Sequence, residues 1–283
     1  MCGIVGYVGS GPGAAQALDV VMGGLRRLEY RGYDSAGVAL QTPDGLATAK
    51  RSGKLAMLEE MLAEHPLPAS TAGIGHTRWA THGGPTDANA HPHLSQDGKL
   101  AVIHNGIIEN FASLKAELLA EGVEFASQTD TEVAAHLLSR AFDKTGDLAE
   151  AMRLVSQRLE GAFTLLAVHA SVPDVVVGAR RNSPLVVGVG DGANYLGSDV
   201  AAFIGYSREA IELGQDQVVT ITPTLVEITD FEGNPIEGRP YHVDWTRRPP
   251  RRAATRTSWP RRSTSSRTPS PTRCWAAPTP PAG

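Results

Sequence analysis

The sequence predicts an α+β layered fold with mostly antiparallel sheets. Short Val-, Leu- and Ile-rich runs bounded by Gly, Pro, Asn and Asp open and close the first 245 residues. Between them lie stretches with apolar residues three and four apart, the mark of amphipathic helices. No internal repeat interrupts this order. With 283 residues, 41% of them hydrophobic, the chain has material for a sizeable core.

In chain order, Ile4 to Val8 reads as a short apolar strand beside the N-terminus. Ala14 to Tyr30 reads as a helix, because Leu18, Val21, Met22, Leu25 and Leu28 fall on one face. Leu55 to Glu64 is a second helix, stopped by Pro66. Ala72 to Arg78 and Leu100 to Asn105 read as strands, separated by a polar Gly/Pro/His-rich loop, Thr81 to Gln96. Three helices follow, over Ala112 to Glu121, Thr131 to Lys144 and Leu148 to Leu159. Strand-like runs then occupy 162–170, 174–180, 184–189, 217–222 and 225–231, with Gly233-Asn234-Pro235 as a turn.

Composition excludes several classes. No apolar run is long enough to cross a bilayer, and no secretory leader is visible. The two cysteines, Cys2 and Cys274, sit at opposite ends, which does not read as a disulfide scaffold. A cytoplasmic, reducing location suits a free Cys2 thiol. Charge is uneven. Residues 246–283 hold nine arginines and no acids, leaving 17 basic against 30 acidic residues, a net of −13, before them. That acidic body offers no nucleic-acid surface. The segment 246–283 uses eight residue types, with eight prolines and no Leu, Ile, Val, Phe, Tyr or Met, and is expected to be disordered.

Five motifs carry chemistry. Met1-Cys2-Gly3 permits removal of Met1, leaving Cys2 with a thiol and a free α-amine. The amine can take the thiol proton, because its pKa is about 7.7–8.0 against about 8.5 for the thiol. The bland reading is an incidental small hydrophobe, and Gly3 is read as leaving room for substrate. The run from Leu28 through Arg31-Gly32-Tyr33-Asp34 to Gly37 sets Arg31 in a tight connection, where it could favour a thiolate; taken alone, the default reading is a helix C-cap and turn, with Gly32 ending the helix and Arg31 facing solvent. In Gly75 to Gly83, Arg78 offers a planar fork suited to a carboxylate, and Trp79, Thr81 and His82 could line a polar pocket. Five histidines lie within 76–104, but their spacings match no familiar zinc pattern, and turn and loop hydrogen bonds are taken to explain most of them. Asn105-Gly106 is either a β-turn dipeptide or an oxyanion hole. Asp130 either caps a helix or holds a substrate ammonium.

Together these segments resemble the class II glutamine amidotransferases, a branch of the N-terminal nucleophile hydrolases. They are most similar to the glutaminase part of the glutamine–fructose-6-phosphate aminotransferase (isomerizing) family, or glucosamine-6-phosphate synthases. The deciding run is Glu29-Tyr30-Arg31-Gly32-Tyr33-Asp34-Ser35-Ala36-Gly37, and the resemblance spans Met1 to about Trp245. It implies a four-layer α-β-β-α sandwich and hydrolysis of L-glutamine to glutamate and ammonia through a Cys2 thioester. It also implies an oxyanion hole of Asn105 and the Gly106 N–H, with Arg31 supporting the nucleophile. Arg78 would hold the substrate α-carboxylate and Asp130 its ammonium, in a pocket shaped by Trp79, Thr81 and His82. In that family the ammonia goes to sugar-isomerase domains that make glucosamine 6-phosphate from fructose 6-phosphate, with no metal or organic cofactor.

Residues 1–245 are thus expected to be the glutaminase domain. No sugar-isomerase segment follows in these 283 residues. The change of composition after Trp245 comes where the family sequence continues, so 246–283 is read as an out-of-frame stretch of GC-rich coding sequence. The alternative is a natural tail for an acidic partner such as nucleic acid. The competing functional reading is a non-catalytic domain that binds glutamine or docks on a synthase. Oligomeric state is not legible.

Overall fold

Alternate residues of the first strand serve two different cores. In β1 (Gly3–Gly9), Ile4 and Val8 point one way and Val5 and Tyr7 the other, as the two-residue period of a strand dictates. That double burial requires a layer on each side, and the rest of the fold supplies both. The computed structural model describes residues 2–10 and 16–244, less the Arg31 side chain. The expected tail, 246–283, lies outside the described residues.

After β1 come α1 (Ala17–Leu28), β2 (Ser35–Thr42), β3 (Gly45–Ser52), α2 (Leu55–Glu64), β4 (Ala72–Arg78), β5 (His93–Leu94) and β6 (Leu100–Ile108). Three helices follow: α3 (Phe111–Ala120), α4 (Asp130–Thr145) and α5 (Leu148–Arg158). The remainder is strand: β7 (Gly161–His169), β8 (Val176–Arg181), β9 (Val186–Val189), β10 (Ala193–Gly197), β11 (Glu209–Glu212), β12 (Gln217–Ile221), β13 (Val226–Asp230) and β14 (Arg239–His242).

These strands form an eight-stranded sheet, ordered β14-β11-β9-β10-β1-β4-β2-β3, and a six-stranded sheet, ordered β13-β12-β8-β7-β6-β5. Every strand pair within them is antiparallel. Three cores define four layers. Val20, Val21 and Leu25 of α1 and Leu55 and Leu58 of α2 pack on Val5, Val38 and Leu40. Between the sheets, Ile4, Val8 and Ile74 meet Ile103, Leu166, Val176 and Val219. On the far side, Leu114, Leu118, Val133, Leu137, Met152 and Val155 from α3, α4 and α5 cover Val102, Leu165 and Val177. The α-β-β-α sandwich is therefore the observed fold.

The expected helices and strands fall within a few residues of those observed. Five strands were not anticipated: β3, β10, β11, β14 and β5, the last a two-residue strand within the stretch read as loop. The β2–β3 hairpin pairs from Ser35↔Ser52 to Thr42↔Gly45, yet β3 reads Gly-Leu-Ala-Thr-Ala-Lys-Arg-Ser and lies mostly half-buried at the sheet edge. Strands β10, β11 and β14 are short and poor in β-branched residues. Their ladders with β1, β9 and each other hold them, so tertiary pairing overrides weak propensity.

Candidate active site

The first described residue sits at the head of a central strand. β1 lies between β10 and β4, with Gly3 opposite Thr77. Gly3 donates its N–H to Thr77 Oγ1 at 3.1 Å, and a Cβ on Gly3 would stand 2.6 Å from that oxygen and 3.1 Å from Leu28. Gly3 thus serves the close approach of β1 to β4 and α1. This corrects the expectation that it leaves room for substrate.

Cys2 Sγ accepts the Trp79 N–H at 3.1 Å. Burial pushes the thiol above its ordinary value, with the Trp79 N–H bond opposing the rise, so a thiolate here needs a nearby proton acceptor. The corner that places Trp79 is fixed by Asp34. Its carboxylate accepts the Ala80 N–H at 2.5 Å, and its backbone N–H donates to the Arg78 carbonyl at 2.7 Å. Arg78 is buried. Its guanidinium donates to the carbonyls of His82, Gly83 (3.1 Å) and Gly84 (3.3 Å) and stands 3.8 Å from Asp34 Oδ1. It thereby folds the following loop back on itself. Lys50 of β3 pins the same loop further on, donating to the carbonyls of Ala88 (3.3 Å), Ala90 (2.9 Å) and Pro92 (3.2 Å).

The second sheet contributes the end of β6. Asn105 Nδ2 donates to the Cys2 carbonyl at 3.2 Å, bridging the sheets. Gly106 follows at φ +122°, where a Cβ would lie 2.0 Å from the Ala162 carbonyl oxygen. Only glycine tolerates that backbone, and it leaves the peptide exposed beside Asn105. Asp130 opens α4. Thr129 occupies the N-cap position without a side-chain cap bond, so Asp130 does not cap the helix. Its Oδ2 instead accepts the Ile108 N–H at 2.9 Å, joining α4 to β6 at the positive end of the helix.

Cys2, Arg78, Trp79, Thr81, Asn105, Gly106 and Asp130 line one cavity of about 380 Å³. His82 lies behind the lining, edge-on to Phe111, with Nδ1 4.0 Å from Asp130 Oδ2. The Arg31 side chain lies outside the described residues. The wall also includes Ile107, Ala162 and Asn182–Pro184, which the sequence reading did not single out.

The histidines differ most from expectation. His76, His91, His93 and His104 are buried, His91 and His104 in the cavity wall and His76 and His93 behind it, whereas His82 is part-exposed in the loop. His76 Nε2 lies 2.9 Å from Asn105 Oδ1. His91 Nε2 and His104 Nδ1 meet the Thr131 hydroxyl at 2.9 and 3.0 Å. His93 Nε2 meets the Thr129 hydroxyl at 3.0 Å. Burial pushes His76 and His93 down to about 3, and lowers His91 and His104 as well, so all four are neutral. Among the described residues no group of His, Cys, Asp and Glu is arranged to hold a metal ion, and no helix is long and apolar enough to cross a membrane.

Known proteins share this architecture. A glutamine phosphoribosylpyrophosphate amidotransferase from B. subtilis, solved with ADP and GMP, superposes with TM-score 0.68 at 25% identity over 83% of this chain and 50% of its own. A structure described as the allosteric regulatory enzyme of purine biosynthesis gives 0.69 at 27% identity over 81% and 49%. The glutamine–fructose-6-phosphate aminotransferase [isomerizing] of Streptomyces coelicolor is 68% identical over 245 residues, 87% of this chain and 39% of its own length. That of Leifsonia xyli subsp. xyli is 62% identical over 261 residues, 92% and 41%. The chain thus spans about two fifths of these relatives. Residues 63–230, which contain Arg78, Asn105, Gly106 and Asp130, match the glutamine amidotransferase domain family, and the chain belongs to that family.

Proposed function

We propose that residues 1–245 hydrolyse L-glutamine to glutamate and ammonia, with Cys2 as nucleophile. The observation that carries the reading is the meeting of Cys2, Asn105, Gly106, Arg78 and Asp130, from four separate segments, around one cavity. With Met1 removed, the Cys2 α-amine accepts the thiol proton, the task that the raised thiol pKa leaves open. The sulfur attacks the side-chain amide carbon. The carbonyl oxygen gains the negative charge and takes hydrogen bonds from the free N–H of Asn105 and from Gly106 N–H. Collapse breaks the C–N bond, the departing nitrogen takes the proton from the α-ammonium of Cys2, and ammonia leaves a thioester. Water adds to the thioester, its proton passes to the α-amine, and glutamate departs as sulfur leaves.

The Asp130 carboxylate pairs with the substrate ammonium. Arg78 faces the α-carboxylate with the N–H groups its loop carbonyls leave over. Trp79, Thr81 and His82 shape the pocket, and Arg31 supports the nucleophile region. No metal or organic cofactor enters these steps. By likeness to the curated relatives, the ammonia serves to convert fructose 6-phosphate to glucosamine 6-phosphate, through sugar-isomerase domains beyond the residues described. A cytoplasmic, reducing location suits the free thiol.

Purified chain with its mature N-terminus, incubated with L-glutamine, is expected to release glutamate, and Cys2→Ala to release none. Absence of release from the mature chain, with glutamine still bound, would favour the glutamine-holding domain instead.

A further inference from the structure

The buried histidines explain how the amide of Asn105 keeps one orientation. An asparagine side chain presents an acceptor and a donor of nearly equal size, and its partners decide which way it faces. Here one partner is unambiguous. The Cys2 carbonyl oxygen only accepts, so the nitrogen of Asn105 must face it, as it does at 3.2 Å. Oδ1 then faces His76 Nε2 at 2.9 Å. Two acceptors cannot share that contact, so Nε2 carries the ring hydrogen. His76 Nδ1 is then the bare nitrogen: it makes no hydrogen bond of good geometry, although the His104 backbone lies close enough to act on the ring. The ring is fully buried in β4, and the His91 ring lies against it with centroids 4.1 Å apart.

We propose that His76 is a positioning residue for glutamine hydrolysis: by donating Nε2–H to Asn105 Oδ1 it fixes the amide with its NH2 toward Cys2 and the cavity. One N–H of that group is spent on the Cys2 carbonyl, and the second is available to a developing oxyanion. The inference rests on the proposed role of Asn105 as oxyanion donor. The depressed basicity of His76 serves the same end, because a neutral ring beside Arg78 and His104 adds no charge under the site. A donor that turns over, or swings between partners, loses the fixed geometry that transition-state stabilisation requires.

The test compares His76→Leu, which removes the donor, with His76→Gln, whose amide N–H can reach the Nε2 position. His76→Leu is expected to lower kcat about 10- to 100-fold with KM within about threefold, because ground-state binding runs through Arg78 and Asp130. His76→Gln is expected to recover most of that loss. In an Asn105→Ala background, His76→Leu is expected to cost nothing further, since the partner it orients is gone. A folded His76→Leu with wild-type kcat, or a loss that adds in full to that of Asn105→Ala, would overturn the proposal.

Nitrogen NMR of the wild-type chain supplies a readout independent of turnover and of whether His76→Leu folds. A neutral ring protonated at Nε2 and coupled across a hydrogen bond to Asn105 is expected. A ring protonated at Nδ1 would refute the positioning role even in an active enzyme. If the mature wild type bound glutamine without hydrolysing it, the catalytic reading would fall, while the NMR signature would still decide whether His76 orients Asn105.

Discussion

The Trp79 N–H points at Cys2 Sγ from 3.1 Å, and the peptide after it is held by Asp34, which accepts the Ala80 N–H at 2.5 Å. Cys2, the proposed nucleophile, therefore rests against a corner that a third residue, distant in sequence from both, keeps in shape. Asp34→Ala frees that corner and also removes the carboxylate 3.8 Å from Arg78. Glutaminase kcat/KM is expected to fall at least about tenfold, since a misplacement of about 1 Å can cost a hundredfold. Steady-state kinetics checks this, and an unchanged kcat/KM would count against the corner's importance.

Asn105→Ala deletes one of the two proposed oxyanion donors. A loss of about 10²–10³ in kcat is expected, with KM little changed. Burst analysis of thioester formation should locate the loss in acylation.

Asp130→Asn retains an oxygen for the Ile108 N–H but removes the negative charge from the cavity. KM for L-glutamine is expected to rise about tenfold or more while thermal stability stays within a few degrees. An unchanged KM would remove Asp130 from substrate binding.

Gly106→Ala meets both a positive φ and the Ala162 carbonyl oxygen at 2.0 Å. Strain and overpacking together should cost about 3 kcal/mol, a drop of roughly 6–12 °C in Tm for a domain this size. Calorimetry measures it.

Acid should weaken the fold before it titrates most carboxylates. His76 and His93 sit at about 3 in the folded chain because burial disfavours their charged forms, against about 6.5 unfolded. Below pH 6.5 the unfolded chain binds more protons than the folded one. The stability present at neutral pH is then lost as pH falls from 6.5 toward 3, by up to about 1.4 kcal/mol per pH unit for each histidine. Glu132 adds to this lower down. Burial raises its carboxyl, but the His136 ring 3.7 Å away and hydrogen bonds from the Ser127 hydroxyl and the Ala126 and Ser127 N–H groups outweigh that and hold it at about 2. Its contribution is present above about pH 4.5 and lost below. Urea midpoints measured from pH 7 to 4 should fall steeply, and a flat profile to pH 5 would contradict neutral buried histidines.

The layers were legible because each carries its own period. The face of α1 came from apolar spacing, the end of α2 from Pro66, and Leu55–Glu64 and Ala72–Arg78 match the observed bounds. Cys2, Asn105, Gly106 and Asp130 were legible as residue types suited to one chemistry. The histidines were not, because sequence spacing is silent about which strands face each other across a layer. His76 and Asn105 are 29 residues apart and lie in different sheets. Asp34 was quoted in a motif but had no assigned partner, since its work is done on the backbone of Ala80. Strand β3 escaped notice because its Ala, Thr, Lys and Arg residues carry no apolar alternation.

The central place of β1 has a consequence for timing. Its two neighbours are β4 and β10, and Val5 pairs with both Gly75 and Gly197. β1 therefore has its full set of partners only once the chain around residues 75 and 197 has also been made. At about 5–20 residues per second, residue 197 follows residue 5 by roughly 10–40 s. Until then β1 has at most its β4 neighbour, and one edge of the strand that carries Cys2 lacks the β10 ladder. The strand that carries the proposed nucleophile is thus completed late, by an element nearly two hundred residues downstream.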